Sequence, residues 1–292
     1  MPLKPGSNIA AMCRDYLQEQ RELLASGEPG LSPRTIADYA DALERKIIPR
    51  FGQMLPRQFK PTHAAQYLYE ARKLKRAIRA NREIAALASA FNHGLALGLC
   101  DSNPCRGVRR NRERPRSRQV AIAELNQLLA MAAEEGPGQY MVALIACTIG
   151  LTGRRRAEIL ALRDDQLTAE GVVAHDAKTR SYEAQRVYLV EWSPLLRQVI
   201  EQAAKLRTKR NGWVFPSRFG RPYSDSGFKA VWNRLMHQYE AKHGSRFRAH
   251  DLRSLYVSEM LDQGRDPHTH RNKETMHRVY DRRKVVRVTP LA

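Results

Sequence analysis

The stretch Thr152-Gly153-Arg154-Arg155-Arg156-Ala157-Glu158-Ile159-Leu160 places three consecutive arginines between two segments of helical character. An apolar helix is predicted over residues 139–150 before it, and helical periodicity returns over residues 158–167. Guanidinium groups bind phosphate oxygens through forked pairs of hydrogen bonds, which the point charge of lysine does less well. The three arginines are therefore candidates for contact with phosphate, or else ordinary surface charge.

Other segments of the second half carry residue types suited to nucleophilic attack and proton transfer. They are Lys178-Thr179-Arg180, His250-Asp251-Leu252-Arg253 and Thr275-Met276-His277-Arg278-Val279-Tyr280-Asp281-Arg282. Lys178 lies in a polar turn between two predicted strands, and His250 shares a helix face with Arg253. A tyrosine that attacks a phosphodiester needs cations around the phosphorus, because negative charge accumulates there in the transition state.

In this order and at these separations, the segments resemble the catalytic domain of tyrosine recombinases, the phage integrase family. The resemblance covers about residues 118–285, and the helical first half is similar to that family's core-binding domain. It implies that Tyr280 is the nucleophile and forms a 3′-phosphotyrosine link. It also implies that Arg155, which follows the motif Thr-Gly-x, and Arg253 bind the scissile phosphate.

The resemblance assigns roles to further residues. Lys178 is expected to protonate the leaving 5′ oxygen, and His250 to accept the nucleophile's proton or to hydrogen-bond the phosphate. Arg154 and Arg156 are expected to contact neighbouring phosphates or solvent, and Glu158 to orient an arginine or cap its helix. Because the covalent link stores the bond energy and cations surround the phosphate, we expect no ATP, no cofactor and no metal ion.

The segment before Tyr280 departs from the family pattern. No glycine directly precedes a histidine there, and the stretch from Gly264 to the histidines is shorter than in the family by more than one helical turn. We assign the second histidine of the pocket to His270, with His268 as the alternative. The departure leaves open a catalytically impaired, recombinase-derived protein that only binds DNA.

The charge of the chain favours a nucleic acid partner. The formal net charge is +20, and residues 1–115 carry 20 Lys/Arg against 11 Asp/Glu, while residues 116–292 carry 30 against 19. Both halves are therefore basic, as expected for a protein that binds double-stranded DNA and displaces the counterions of the DNA phosphates. Charge by itself leaves a membrane-surface, ribosome-associated or RNA-binding protein open, but none of these explains the motifs.

Basic residues are concentrated in two stretches of the chain. Residues 72–82 contain no acidic residue, whereas residues 106–118 hold seven arginines and only Glu113. The second stretch lacks apolar periodicity and is predicted to be an extended interdomain linker along the DNA backbone. The residues predicted to contact DNA are Arg72, Lys73, Lys75, Arg76, Arg79, Arg109, Arg110 and Arg112.

The predicted fold is mostly α with a small antiparallel β-sheet. A helical, SAM-like core-binding domain is expected over residues 1–105, a linker over 106–118, and an α/β catalytic domain with a C-terminal tail over 119–292. In the first domain, Ser32 is predicted to cap a helix that begins at Pro33 and ends just before Pro49. In the second, strands around residues 172–173 and 186–190 are predicted to form a hairpin.

Composition indicates a soluble protein of the cytoplasm. Hydrophobic residues make up 42% of the chain, no apolar run approaches the ~20 residues of a membrane span, and no signal peptide is apparent. The cysteines are scattered, which argues against a disulfide framework or a zinc site. They are Cys13, Cys100, Cys105 and Cys147.

The sequence thus predicts a site-specific DNA recombinase of the integrase type, with four protomers joining two DNA sites. A type IB topoisomerase-like enzyme is the alternative, and accessory DNA-bending proteins, the target and the direction of recombination stay open. Because the chain begins almost at its first predicted helix, we expect no separate arm-site-binding domain. The tail with Val285, Val286 and Val288 is expected to contact a neighbouring protomer, or else DNA.

Overall fold

The structure is a computed structural model, and it describes residues 6–114, 118–175, 187–207, 211–269 and 273–281. The chain divides into two compact units, one ending at Arg114 and the other beginning at Pro115. No helix of the described residues has both the length and the apolar composition that a membrane span requires.

The first unit is helical. Its helices are α1 (Ile9–Ser26), α2 (Pro33–Ala42), α3 (Ile48–Phe51), α4 (Pro61–Lys73) and α5 (Ala77–Ala96). As predicted, Ser32 Oγ accepts a hydrogen bond from the Thr35 amide at the start of α2. The predicted end of this helix before Pro49 is wrong. A π-helical turn connects α2 directly to α3, and Pro49 lies in the first turn of α3.

An aromatic core holds the first unit together around a buried carboxylate. Phe51 and Phe59 pack edge to face at 5.0 Å between ring centroids. Nearby, Glu83 is 1% exposed and accepts hydrogen bonds from Tyr67 Oη and Arg76 Nη2, both at 2.6 Å. A buried carboxylate is tolerated only when it is paired and hydrogen-bonded, so Arg76 contributes to the fold as well as to the surface charge.

Residues 106–114, predicted as part of an extended linker, belong to the first unit. Asn81, on α5, donates from Nδ2 to the Asn111 carbonyl at 2.8 Å and accepts at Oδ1 from the Asn111 amide at 2.9 Å. Asn111 in turn donates to the Leu68 carbonyl at 3.0 Å. The sequence pattern missed this docking because it depends on amide hydrogen bonds rather than on apolar periodicity.

The second unit is mixed, as predicted. Its elements are α6 (Ile122–Glu135), α7 (Pro137–Thr152), α8 (Arg156–Leu160), β1 (Gly171–His175), β2 (Val187–Glu191), α9 (Pro194–Lys205), α10 (Asp225–His243), α11 (Asp251–Asp262) and α12 (Lys273–Tyr280). The strands pair antiparallel, with Ala174 opposite Tyr188. The helix expected over residues 158–167 is shorter than predicted, because α8 ends at Leu160 and a 3₁₀ turn follows at Asp164–Gln166.

Helix α7 is the centre of the second unit. Its residues are apolar on every side, and it packs against α6, α9, α10 and α11. A helix that is apolar all round is stable only when it is buried by other elements.

The chain's four cysteines are buried, and burial raises the pKa of the Cys13, Cys105 and Cys147 thiols to about 12.

Replacing Asn81 with alanine tests the docking of residues 106–114. Asn81→Ala leaves the Asn111 amide and carbonyl without their partner, which is expected to cost about 1–3 kcal/mol. Urea unfolding should therefore shift to lower concentration, and trypsin should cleave faster after Arg112. The control is Ser89→Ala on the same helix, whose hydroxyl donates to the Ala85 carbonyl and interacts with Tyr16 of α1 rather than with residues 106–114. Equal trypsin rates in wild type and Asn81→Ala would contradict the docking.

Candidate active site

The site is built on the junction between α7 and α8. Gly153 ends α7 in the left-handed region at φ 62°, and its amide donates to the Ile149 carbonyl at 2.9 Å. The chain then reverses, and Arg155 lies at the N-cap position of α8. A left-handed residue at this position favours glycine, because a side chain would clash with the following carbonyl.

Glu158 fixes the orientation of Arg155, as predicted. Its side chain is 1% exposed, and its two oxygens accept from the Arg155 backbone amide at 2.9 Å and from Arg155 Nη1 at 2.7 Å. One carboxylate therefore caps α8 and anchors the guanidinium at the same time. The Arg155 side chain keeps 23% exposure, so the group remains accessible to an anion.

Arg253 is among the most completely buried side chains of the described residues, at 1% exposure. Its guanidinium donates to the Gly153 carbonyl and to the Thr269 carbonyl, both at 2.5 Å. Burial, and next the positive charge of Arg155, lower the pKa of Arg253 to about 10, which still leaves the group charged at pH 7. Two cations this close, away from bulk water, favour an anion beside them.

Tyr280 lies against these groups. Its Oη is 3.1 Å from His250 Nε2, which is hydrogen-bond distance, and its ring centroid is 5.5 Å from the Arg253 guanidinium carbon. The helix that carries it, α12, packs on α11 and is anchored by buried Met276. The structure thus brings together Tyr280, His250 and Arg253, residues that the sequence singled out from two separate motifs.

Some predicted site residues lie outside the described residues. They are Lys178 and His270, together with the tail residues Val285, Val286 and Val288. His268, the alternative to His270, is described. Its side chain is 79% exposed, and its Nδ1 lies 3.6 Å from an oxygen of Asp266.

The two arginines that flank Arg155 have different surroundings. Arg154 is 4% exposed, with its guanidinium carbon 3.9 Å from the centroid of the Tyr188 ring, so the prediction that it contacts phosphate or solvent is wrong. Arg156 forms an ion pair with Asp225 at the start of α10. Sequence could not separate the three arginines by burial, because consecutive residues around a helix junction point in different directions.

Two features of the site were not predicted from the sequence. The Gly153 and Thr269 carbonyls orient Arg253, and a backbone acceptor leaves no signature in side-chain identity. The second feature is a cleft of about 620 Å³ beside His250, which includes basic residues from three segments. Those basic residues are Arg156, Lys229, His237, Arg246 and Arg248.

The residues predicted to contact DNA in the first unit have varied surroundings. Arg72 and Lys73 lie over the ring of exposed Tyr69, and Arg109 and Arg112 are exposed. Arg79 donates to Asp41 at 2.5 Å. By contrast, Arg76 is paired with buried Glu83, and burial lowers the pKa of Arg110. Lys75 has a left-handed backbone at φ 57°.

Within the described ranges, no three or more histidine, cysteine, aspartate or glutamate side chains are grouped so that they could hold a metal ion.

Comparison with known proteins identifies the family. The sequence profile of the phage integrase family matches residues 119–283, more than half of the chain. The chain belongs to the phage integrase family. This integrase-family chain is also 29% identical over 188 residues to the shufflon-specific DNA recombinase of Escherichia coli, covering 61% of the chain and 45% of that relative. It therefore spans less than half the length of this curated relative.

Solved integrase structures share the fold. A lambda integrase dimer bound to a COC′ core site superposes with a TM-score of 0.73 at 17% identity, over 96% of this chain and 99% of that one. A lambda integrase tetramer bound to a Holliday junction gives 0.73 at 16% identity, over 94% and 80%. The Tn1549 transposon integrase with circular intermediate DNA gives 0.70 at 15% identity, over 92% and 94%.

Gly153→Ala tests the junction that presents the Gly153 carbonyl to Arg253. In this variant, the new Cβ would lie 2.2 Å from the Tyr256 ring and would clash with it. The alanine would also have to adopt the left-handed backbone at φ 62°, which strains a residue with a side chain. We expect a loss of about 2–4 kcal/mol in unfolding free energy, measured by urea denaturation. The control is Gly138→Ala in the first turn of the same helix, where a Cβ meets no atom within 4 Å. Equal stability of the two variants would contradict the packing described at Gly153.

Proposed function

We propose that this chain is a site-specific DNA recombinase that cuts and rejoins double-stranded DNA through a covalent bond between Tyr280 and a 3′ phosphate. The observation that carries the proposal is the position of the Tyr280 hydroxyl, 3.1 Å from His250 Nε2 and beside the Arg253 guanidinium. A phenol next to a proton acceptor and next to cations has the components of an activated nucleophile.

Strand cleavage transfers a bond without consuming an external energy source. The Tyr280 oxygen bonds to phosphorus while the bond between phosphorus and the 5′ oxygen breaks. The Tyr280 proton passes to His250, and the leaving 5′ oxygen takes a proton, for which we propose Lys178 as the donor. Arg155 and Arg253 stabilise the charge on the non-bridging oxygens, and we propose His270 as a further hydrogen-bond donor to them.

Religation reverses these steps on a different strand. A 5′ hydroxyl attacks the phosphotyrosine, loses its proton to the group that protonated the leaving oxygen, and restores the phosphodiester. Tyr280 recovers its own proton from His250. Since the phosphotyrosine keeps the energy of the original bond, no ATP is required, and we propose that the pocket's own cations stabilise the phosphate without a metal ion.

The DNA-bound relatives support a nucleic acid substrate. Lambda integrase occurs as a dimer on a core site and as a tetramer on a Holliday junction, and Tn1549 integrase binds circular intermediate DNA. We propose by analogy that four copies of this chain join two duplex sites. The basic cleft beside His250 is suited to backbone phosphates next to the scissile one. In the first unit, we propose that Arg72, Lys73, Arg109 and Arg112 contact the backbone.

Trapping the covalent intermediate tests the proposed function. A duplex carrying the target site with a nick near the cleavage point loses a short fragment on cleavage, so the adduct cannot religate and accumulates. Wild-type protein is expected to form a denaturant-resistant adduct, and Tyr280→Phe to form none while still binding the duplex. Tyr140→Phe on α7 serves as the matched loss of a hydroxyl away from the pocket.

One outcome of this assay, and one outcome of a separate assay on supercoiled plasmid, would count against the proposal. Tight binding by wild-type protein without any adduct would favour the impaired, DNA-binding alternative. Relaxation of supercoiled DNA without any site preference would favour the topoisomerase-like alternative.

Arg155→Lys separates charge from hydrogen-bond geometry. Lysine keeps the positive charge but loses the forked donors, so DNA affinity should change little. The single-turnover cleavage rate on the same substrate should fall by about 10²–10³-fold, as when one donor to a developing oxyanion is lost. Arg197→Lys on α9, where the guanidinium lies over the partly buried Trp192 indole, is the control. If Arg155→Lys lowers the DNA affinity by the same factor as the cleavage rate, Arg155 contributes to binding of the uncleaved DNA and not to the transition state.

A further inference from the structure

Arg154 is buried in a way that the chemistry at the phosphate does not explain. At 4% exposure it is almost completely removed from water, and a charged group in the interior must be compensated by hydrogen bonds or by another charge. Its Nε donates to the Thr152 carbonyl and its Nη2 to the His268 carbonyl, both at 3.3 Å. Its guanidinium carbon lies 3.9 Å from the centre of the Tyr188 ring.

These contacts join separate elements of the second unit. Arg154 follows α7, Tyr188 belongs to β2, and His268 lies in the segment between α11 and α12. A cation over an aromatic face is worth up to about 2 kcal/mol when both are shielded from water. The arrangement therefore fixes the backbone at His268 relative to the strand pair.

The adjacent carbonyl is held by a different arginine. Arg253 donates to the Thr269 carbonyl at 2.5 Å. Two buried guanidiniums, those of Arg154 and Arg253, therefore donate hydrogen bonds to consecutive carbonyls of one segment. His268 has a left-handed backbone at φ 46°, a conformation that a non-glycine residue keeps only when its surroundings impose it. This is the segment that leads into α12, whose last residue is Tyr280.

We propose that Arg154 is a positioning residue, which aligns α12 and the Tyr280 hydroxyl with the phosphate pocket by holding the His268 carbonyl against Tyr188. The proposal rests on the proposed role of Tyr280 as nucleophile.

The test compares cleavage with binding in Arg154→Met, which keeps the length of the side chain and removes its charge and donors. We expect the single-turnover rate on the nicked duplex to fall by about 10²-fold, the scale of a misplacement of about 1 Å, with DNA affinity unchanged. Arg154→Lys keeps a cation over Tyr188 and should recover part of the rate. If Arg154→Met loses affinity in proportion to rate, or cleaves like wild type, the proposal is overturned.

Variants of Tyr188 provide matched controls that do not alter Arg154. Tyr188→Phe keeps the ring face and should cleave like wild type, whereas Tyr188→Leu should be slower by up to about tenfold. In the double variant Arg154→Met/Tyr188→Leu, the second change should have little further effect, because both remove the same contact. Fully additive losses would overturn the coupling between the two side chains.

Amide hydrogen exchange separates this proposal from the proposed function. Arg154→Met is expected to increase exchange over residues 273–281 and to leave α6 unchanged, whether or not the protein cleaves DNA. Unchanged exchange over residues 273–281 would overturn the positioning role. If wild-type protein forms no adduct but its α12 loosens in Arg154→Met, the proposed function fails and the positioning of α12 by Arg154 stands.

Discussion

The second unit depends on one buried cation. Arg253 cannot be removed from water without acceptors for its donors, and it finds two of them in the carbonyls of Gly153 and Thr269. Those carbonyls belong to segments far apart in the chain, so satisfying one side chain fixes the α7–α8 junction relative to the segment before α12. The catalytic geometry that we propose therefore follows from a folding requirement. The same contacts that bury the guanidinium also set where Tyr280 can lie.

Charge repulsion prepares this site for an anion. Burial, and after it the nearby positive charge of Arg155, lower the pKa of Arg253, so the free protein disfavours the charge of this group. Glu158 compensates part of this repulsion, but it is committed to the α8 amide and to one Arg155 nitrogen. A phosphate diester would supply the remaining negative charge. In the function that we propose, the free protein thus holds its cations in an arrangement that becomes more favourable when DNA binds.

Much of the fold and part of the site could be predicted from sequence. Apolar periodicity located most helices, alternation located the strand pair, and the motif spacing selected Arg155, His250, Arg253 and Tyr280. Sequence failed where backbone groups or local direction decide the structure. The burial of Arg154 and the docking of Asn111 on Asn81 depend on carbonyls and amides, which every residue has. The helix continues through Pro49 by way of a π-helical turn, which amino-acid composition does not predict.

The buried thiols have a practical consequence for spectroscopy. Maleimides and related dyes react with thiolates, and a thiol that is both shielded and hard to deprotonate reacts slowly. Because all four native cysteines are buried, the natural chain is expected to react only slowly with thiol-directed labels. A single cysteine introduced on an exposed face could therefore carry a fluorophore or spin label without prior removal of the native ones. Movements within the second unit could then be followed by fluorescence or by electron paramagnetic resonance in an otherwise unaltered protein.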